Sequence, residues 1–180
     1  MNFRVSILIG LCLYGLASIA YAEAEAVFVI SGGEAEIENN GYSGTDTAVK
    51  IGSGFRVTDT SGIEIYWAKY GEPEKTVNIS GLGNRDVSAA IFSLAFQYVR
   101  YIPVGNSFDL LGRIGLAFWK SDMKISSVGT FDDDGIDLIV GVGAQTDLSR
   151  DWSLRAEWEY SEFEDFKVSF LSVGFAHYFD

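Results

Sequence analysis

The chain has one cysteine, one histidine and two prolines among 180 residues. One cysteine excludes a disulfide framework and a cysteine-rich zinc centre. One histidine excludes a multi-histidine metal site. Pro73 and Pro103 both fall in connections, so no extended segment loses an internal N–H donor. Bases are scarce: 13 Lys+Arg stand against 25 Asp+Glu, a formal net charge of −12. That balance argues against nucleic acid as a partner, which calls for a basic face. After residue 22 there is no useful helical period and no 18-residue apolar run, so no later membrane helix is predicted. What the chain does have is 48% hydrophobic and 14% aromatic residues, too many for a disordered chain. Its length predicts one domain.

Residues 1–22 read as a cleaved secretory signal peptide. Arg4 supplies the positive start, Val5 to Ile19 the apolar core, and Ala20-Tyr21-Ala22 the A-x-A cleavage site. Leu11 stands before Cys12, where a lipobox needs a small residue, so acylation is not expected. Cleavage removes Arg4 and Cys12 and leaves a domain of residues 23–180 without cysteine, which suits an oxidising compartment.

The mature chain alternates with period two. Phe108, Leu110, Ile114, Leu116 and Phe118 share one face; Asp109, Arg113, Gly115 and Ala117 share the other. Eight such segments are predicted, near 26–38, 47–58, 62–71, 87–102, 107–121, 134–147, 151–163 and 168–179. Short connections (58–62, 103–107, 147–151) alternate with longer ones (39–46, 71–86, 121–133). The fourth of the second set, near 162–167, is short. An even strand number with such alternation predicts a closed antiparallel barrel.

Pattern alone does not say which face is inside. A soluble barrel puts the apolar face inward, and a transmembrane barrel inverts this. Three features favour the membrane. The polar face is rich in small residues such as Gly52, Gly54, Gly141 and Gly143, which suits a narrow lumen. Its charges mix signs and can pair. Aromatics gather near strand ends: Tyr98, Tyr101, Phe108, Trp152, Tyr178 and Phe179 on the turn side, and Tyr70, Phe118, Tyr160 and Phe163 on the loop side. Two such belts are what a bilayer interface selects.

The segments SFDLLGRIGLAFWKSD, DDDGIDLIVGVGAQTDLSRDWSLRAEWEYSEFEDF and VSFLSVGFAHYF resemble the OmpA-like transmembrane domain family. The likeness is good over about 86–179 and weaker, though in register, before that. It implies an all-β fold, an eight-stranded antiparallel up-and-down transmembrane β-barrel in the bacterial outer membrane. It also implies an inward base at Lys50, an inward acid at Glu64, and inward charges at Arg113, Arg155 and Glu157. The sequence departs from the family at its end, where Asp180 follows Phe179 and His177 takes an outward position usually held by an aromatic. The given sequence ends with the barrel, so the wall-tethering role of longer relatives is not carried over.

The candidate site is a lumen charge network, structural or gating, of Lys50, Arg56, Glu64, Arg113, Asp137, Arg155, Glu157 and Glu159. An eight-stranded barrel is narrow enough for side chains to fill it, so mutual neutralisation is favoured over a gate. Asp132-Asp133-Asp134-Gly135 has Gly141 where a calcium loop needs glutamate, and reads as a solvated acidic loop. Asn78-Ile79-Ser80 matches a glycosylation sequon by chance. His177 has no serine within reach for a hydrolase triad: Ser169 and Ser172 lie on the same strand. No catalytic residue, metal or cofactor is expected. The expected product is a monomeric, non-catalytic barrel with an envelope-integrity or surface-interaction role. The alternatives are a small-conductance pore and a soluble periplasmic barrel that binds an apolar ligand. Expected partners are outer-membrane lipid and lipopolysaccharide, the barrel-insertion machinery during biogenesis, and an extracellular ligand held by the loops.

Overall fold

The computed structural model describes residues 24–39, 42–79, 83–164 and 166–179. The signal-peptide reading, Cys12, Ser80 and Asp180 lie outside these residues. Nine strands follow one another: β1 (Glu25–Asn39), β2 (Tyr42–Thr58), β3 (Ser61–Lys69), β4 (Glu74–Ile79), β5 (Gly83–Pro103), β6 (Phe108–Ile125), β7 (Gly129–Asp147), β8 (Trp152–Phe163) and β9 (Phe166–Phe179). All pairings are antiparallel between neighbours in the order β3-β2-β1-β9-β8-β7-β6-β5-β4, and β3 also pairs with β5. That last ladder, from Ser61↔Arg100 to Lys69↔Phe92, closes a ring of eight strands. β4 is the ninth. It pairs with the far end of β5, from Glu74↔Ser88 to Ile79↔Gly83. It therefore prolongs the β3 side of β5 above the barrel and adds no stave.

The ring puts the apolar face outside. Val142 is 59% and Leu171 60% exposed, and Ile30, Ile114, Leu116 and Leu138 are exposed with them. The reading with an apolar pocket inside is thereby overturned. On β6 the outward run from Leu110 to Phe118 rises ~27 Å along the strand, or ~21 Å along the axis at a tilt of ~40°, close to the apolar band of an outer-membrane barrel.

Two sequence expectations are corrected. The segments expected to be long loops are mostly strand, and β4 with the start of β5 fills most of 71–86. β2 begins at Tyr42, β6 runs on to Ile125, and β7 starts at Gly129. β6 and β7 stay in register to the tip, through Ser121↔Asp133 and Ile125↔Gly129. Asp132, Asp133 and Asp134 thus lie on a strand, all exposed. Met123 and Ile125 are half-buried against the lumen cluster, but the facing segment of β7 is exposed throughout and lacks the apolar alternation that betrays a strand in sequence, so ladder hydrogen bonds hold it. The second correction concerns the aromatic belts. Tyr98, Phe108, Trp152, Phe179 and Phe118 are exposed outside, but Tyr70, Tyr101, Phe163 and Tyr178 are buried in the lumen. They lie at belt heights with inward parity.

The β3–β4 connection is pinned at its base. Asp46 Oδ2 accepts from the Glu72 N–H (2.8 Å), and Oδ1 accepts from the Thr47 N–H (2.7 Å). Gly71 turns there with φ of 81°, and a side chain on it would strike Asp46. The two N–H groups, Glu72 first, hold the Asp46 carboxyl below its ordinary value. A depressed carboxylate contributes stability above its unfolded value that is lost as pH falls through the folded one. The Glu72 amide proton resonance should therefore hold its position through the ordinary aspartate range and move only below it. Movement centred near pH 3.9, the ordinary aspartate value, would mean that the connection is not held this way.

Candidate functional site: the filled lumen

Inward parity along the strands brings six charged side chains into the turn-side half of the lumen. Lys50, Glu64, Arg113, Arg155, Glu157 and Glu159 are each at most 4% exposed. Three cations face three anions, so the set is neutral. Lys50 Nζ donates to Glu157 (2.7 Å) and Glu159 (2.5 Å). Arg113 donates to Glu64 (2.5 Å) and to Glu157. Arg155 Nη1 donates to Glu64 (3.1 Å). Glu64 also accepts from the hydroxyls of Tyr66 and Tyr101. Gln97 Nε2 donates to Glu159 (2.9 Å).

Arg155 is the hub on the turn side. Its Nε donates to Gln145 Oε1 (3.0 Å), and its Nη2 donates to the hydroxyls of Tyr178 (3.0 Å) and Tyr101 (3.3 Å). The Arg113 guanidinium sits 4.5 Å from the Tyr66 ring centroid, with Lys50 Nζ 4.8 Å from the same ring. The tyrosines therefore offer both hydroxyls and ring faces to the cations. Gln97 Oε1 and Arg113 Nε have no protein partner among the described residues.

Small residues across the ladder make room for these long side chains. Gly54 opposes Glu64, Gly143 opposes Glu157, and Gly141 opposes Glu159. A Cβ on Gly143 would lie 3.0 Å from Glu157 Cγ and 2.6 Å from the Ala156 carbonyl oxygen. Gly143→Val should therefore displace Glu157 from Lys50 and Arg113. The expected result is a folding free energy lowered by roughly 1–3 kcal/mol, the usual cost of overpacking, and an unchanged urea midpoint would show that the lumen has slack.

Two of the predicted site residues lie apart from this cluster. Arg56 is at the turn-side mouth, where it donates to the Asp59 carbonyl (2.6 Å) and pairs loosely with Asp109 (3.5 Å). Asp137 is nearer the loop end and accepts from the Trp119 indole N–H (2.6 Å). Neither joins an ion pair with the central six. Composition and charge did not single out Tyr66, Tyr101, Tyr178, Gln97 or Gln145, which complete the network. Parity marks them all, since each falls on the same face as a charged or small inward neighbour.

Above the charges the lumen turns apolar. Ile37, Tyr70, Ile91, Trp119, Phe163 and Phe170 are buried there in one cluster. Trp119 stacks on Phe163 at 5.5 Å, and Tyr70 meets Phe170 edge-on at 5.9 Å. The gap between this cluster and Glu159, beside Tyr70, Ile139 and Phe170, is too small for a water molecule. His177 is outside, stacked on Trp152 at 4.5 Å and against Phe179 at 4.4 Å. Ser172 is buried inside, so the two lie on opposite faces of β9.

An eight-stranded ring with its apolar residues outside and its charges within is the architecture of an outer-membrane protein. The sequence pattern of the outer membrane protein beta-barrel domain matches residues 9–179. The chain belongs to this family of outer-membrane β-barrels. No curated protein sequence matches it. Among solved structures, this barrel is similar to Ail, the attachment invasion locus protein of Yersinia pestis, solved in complex with the heparin analogue sucrose octasulfate. The identity is 19%, with 87% of this chain and 99% of that one covered, at a TM-score of 0.62. It is also similar to Neisserial surface protein A (14% identity, 87% and 99% covered, TM-score 0.70). A third similar structure is OprG from Pseudomonas aeruginosa (20% identity, 88% and 98% covered, TM-score 0.57). At these identities the likeness is one of fold. The family places the barrel in the bacterial outer membrane. The β4–β5 and β6–β7 hairpins stand at its loop side, the end opposite the short turns.

Proposed function

We propose that this barrel is a non-conducting, non-catalytic envelope protein whose loop-side hairpins bind a cationic partner. The observation that carries the reading is the filled lumen: a neutral charge cluster below and an aromatic plug above leave the chemistry to the outer surface. This weighs against the small-conductance pore, which needs a continuous water path. Purified barrel in planar bilayers should show no single-channel steps. Regular steps from the wild-type chain would favour the pore.

The loop side is acidic. Glu34, Glu36, Glu38, Asp132, Asp133 and Asp134 all stand exposed on β1 and β7. A sulfated ligand such as the one in the Ail structure would meet like charge here, so a basic polypeptide surface is the better fit. The test replaces Glu34, Glu36 and Glu38 by Gln and Asp132, Asp133 and Asp134 by Asn, which removes the charge and keeps the ladders. The neutralised barrel should keep its heat-dependent gel mobility and lose binding of a lysine-rich peptide in titration calorimetry. Equal binding by both barrels would rule this surface out.

A further inference from the structure

The outer wall carries a groove of about 440 Å³ that crosses the loop-side edge of the apolar band. Its floor is one row of cross-strand neighbours, Trp67, Leu94, Phe118 and Ile136, on β3, β5, β6 and β7. The row above reads Lys69, Phe92, Lys120 and Asp134. The Trp67 and Phe92 rings lie 6.4 Å apart, and Lys69 Nζ lies 5.6 Å from the Phe92 ring centroid. Apolar and cationic surface therefore meet within one residue step, at the height where lipid headgroups begin.

We propose that this groove binds one lipid of the outer leaflet, with an acyl chain along Trp67 and Phe118 and a headgroup phosphate of lipid A held between Lys69 and Lys120. Phe92 separates the two lysines, so their Cα atoms are two strand spacings, ~10 Å, apart. Two flexible stems at that distance can bring both ammonium groups to one phosphate, each stem lying on apolar surface as its head reaches the interface. The local anions are weak competitors. Asp46 and Glu72 lie within electrostatic reach of Lys69, but Asp46 already accepts from two backbone N–H groups and Glu72 from Lys124. Lys120 Nζ is 3.9 Å from Asp122, with Lys120 exposed and Asp122 partly so. Such a pair contributes little and gives way to a doubly charged group. Asp134 lies at the groove rim beyond Lys120, where it would face the sugar hydroxyls. A cross-strand row of the opposite wall, Tyr160, Ser169 and Glu36 on β8, β9 and β1, holds no lysine.

The inference needs the outer-membrane location and is independent of the cationic partner proposed above. The experiment is native mass spectrometry of refolded barrel with diphosphoryl lipid A, against the same lipid with its phosphates removed. Wild-type barrel should retain one diphosphoryl lipid. Lys69→Gln/Lys120→Gln should weaken retention roughly 30-fold, at about 1 kcal/mol for each lysine near a lipid surface. Lys75→Gln/Lys167→Gln makes the same charge change elsewhere on the loop side and should have little effect. Trp67→Ala should weaken both probes alike. Heat-dependent gel mobility verifies that each variant is folded. Equal retention by wild type and the Lys69/Lys120 variant would overturn the site. So would equal losses in the two lysine pairs, which would reduce the effect to overall charge.

Discussion

Arg155→Ala is expected to destabilise the barrel by roughly 3–5 kcal/mol, the cost of removing one partner from a buried ion pair. Arg155 is 1% exposed and donates to Glu64, Gln145, Tyr66, Tyr101 and Tyr178. Truncation would leave Glu64 with a single guanidinium, that of Arg113, and the set with a net negative charge in a low-dielectric interior. A urea titration of refolding into lipid vesicles reads the loss directly. Glu64→Ala should cost a similar amount, because it removes the carboxylate to which Arg155 donates and one of the two held by Arg113. The double variant should cost less than the two singles together, with a coupling of about 0.5–3 kcal/mol. Strict additivity, or an unchanged midpoint for Arg155→Ala, would mean that Arg155 is solvated. Replacing the whole set by apolar residues of similar volume need not destabilise at all. The network therefore serves to fill the lumen in one arrangement, and its net contribution to stability is the smaller part.

The alternation of residues 107–121 and 134–147 made the strands and their two faces legible before any coordinates. Six of the eight predicted inward charges lie together for that reason: Glu64 and Glu157 are on the polar face of strands whose other face is Ile, Leu and Trp. The partners were not legible. Lys50 meets Glu157 across 107 residues of chain, and which strands face each other across a lumen depends on tilt and shear, which no local pattern records. Arg56 and Asp137 share the inward parity but sit at other heights, so parity alone placed them in a cluster they do not join. Tyr101 and Tyr178 were misread in the opposite way. Their nearness to strand ends suggested a membrane belt, while their parity, shared with Gln97 and Ala176, pointed inward. Parity is the stronger cue, because one residue's shift moves a side chain to the other face of the sheet. The β6–β7 hairpin escaped the sequence reading because little is buried toward its tip: Asp132 and Asp122 face each other across a ladder that apolar periodicity cannot reveal.

Phe163→Ala combined with Phe170→Ala should remove the loop-side plug, and its consequence separates two kinds of closure. Phe163 and Phe170 are 0% and 1% exposed, and both rings pack on Tyr70. Each truncation should cost about 3–5 kcal/mol in the refolding titration, from lost transfer energy and the cavity left behind. Conductance should still be absent, because the charge cluster lies beneath the cavity and its six groups bind one another rather than passing ions. Arg155→Ala should also be silent, because the plug above it is intact. Only the triple variant, with plug and hub both removed, should give single-channel steps in planar bilayers. If the Phe163/Phe170 variant conducts without change at Arg155, the charges are no barrier and the plug is the gate. If Arg155→Ala conducts alone, the order is reversed and the aromatic cluster leaks. Silence in both partial variants with steps in the triple would establish two seals in series, which is what a neutral ionic cluster beneath an apolar one is built to provide.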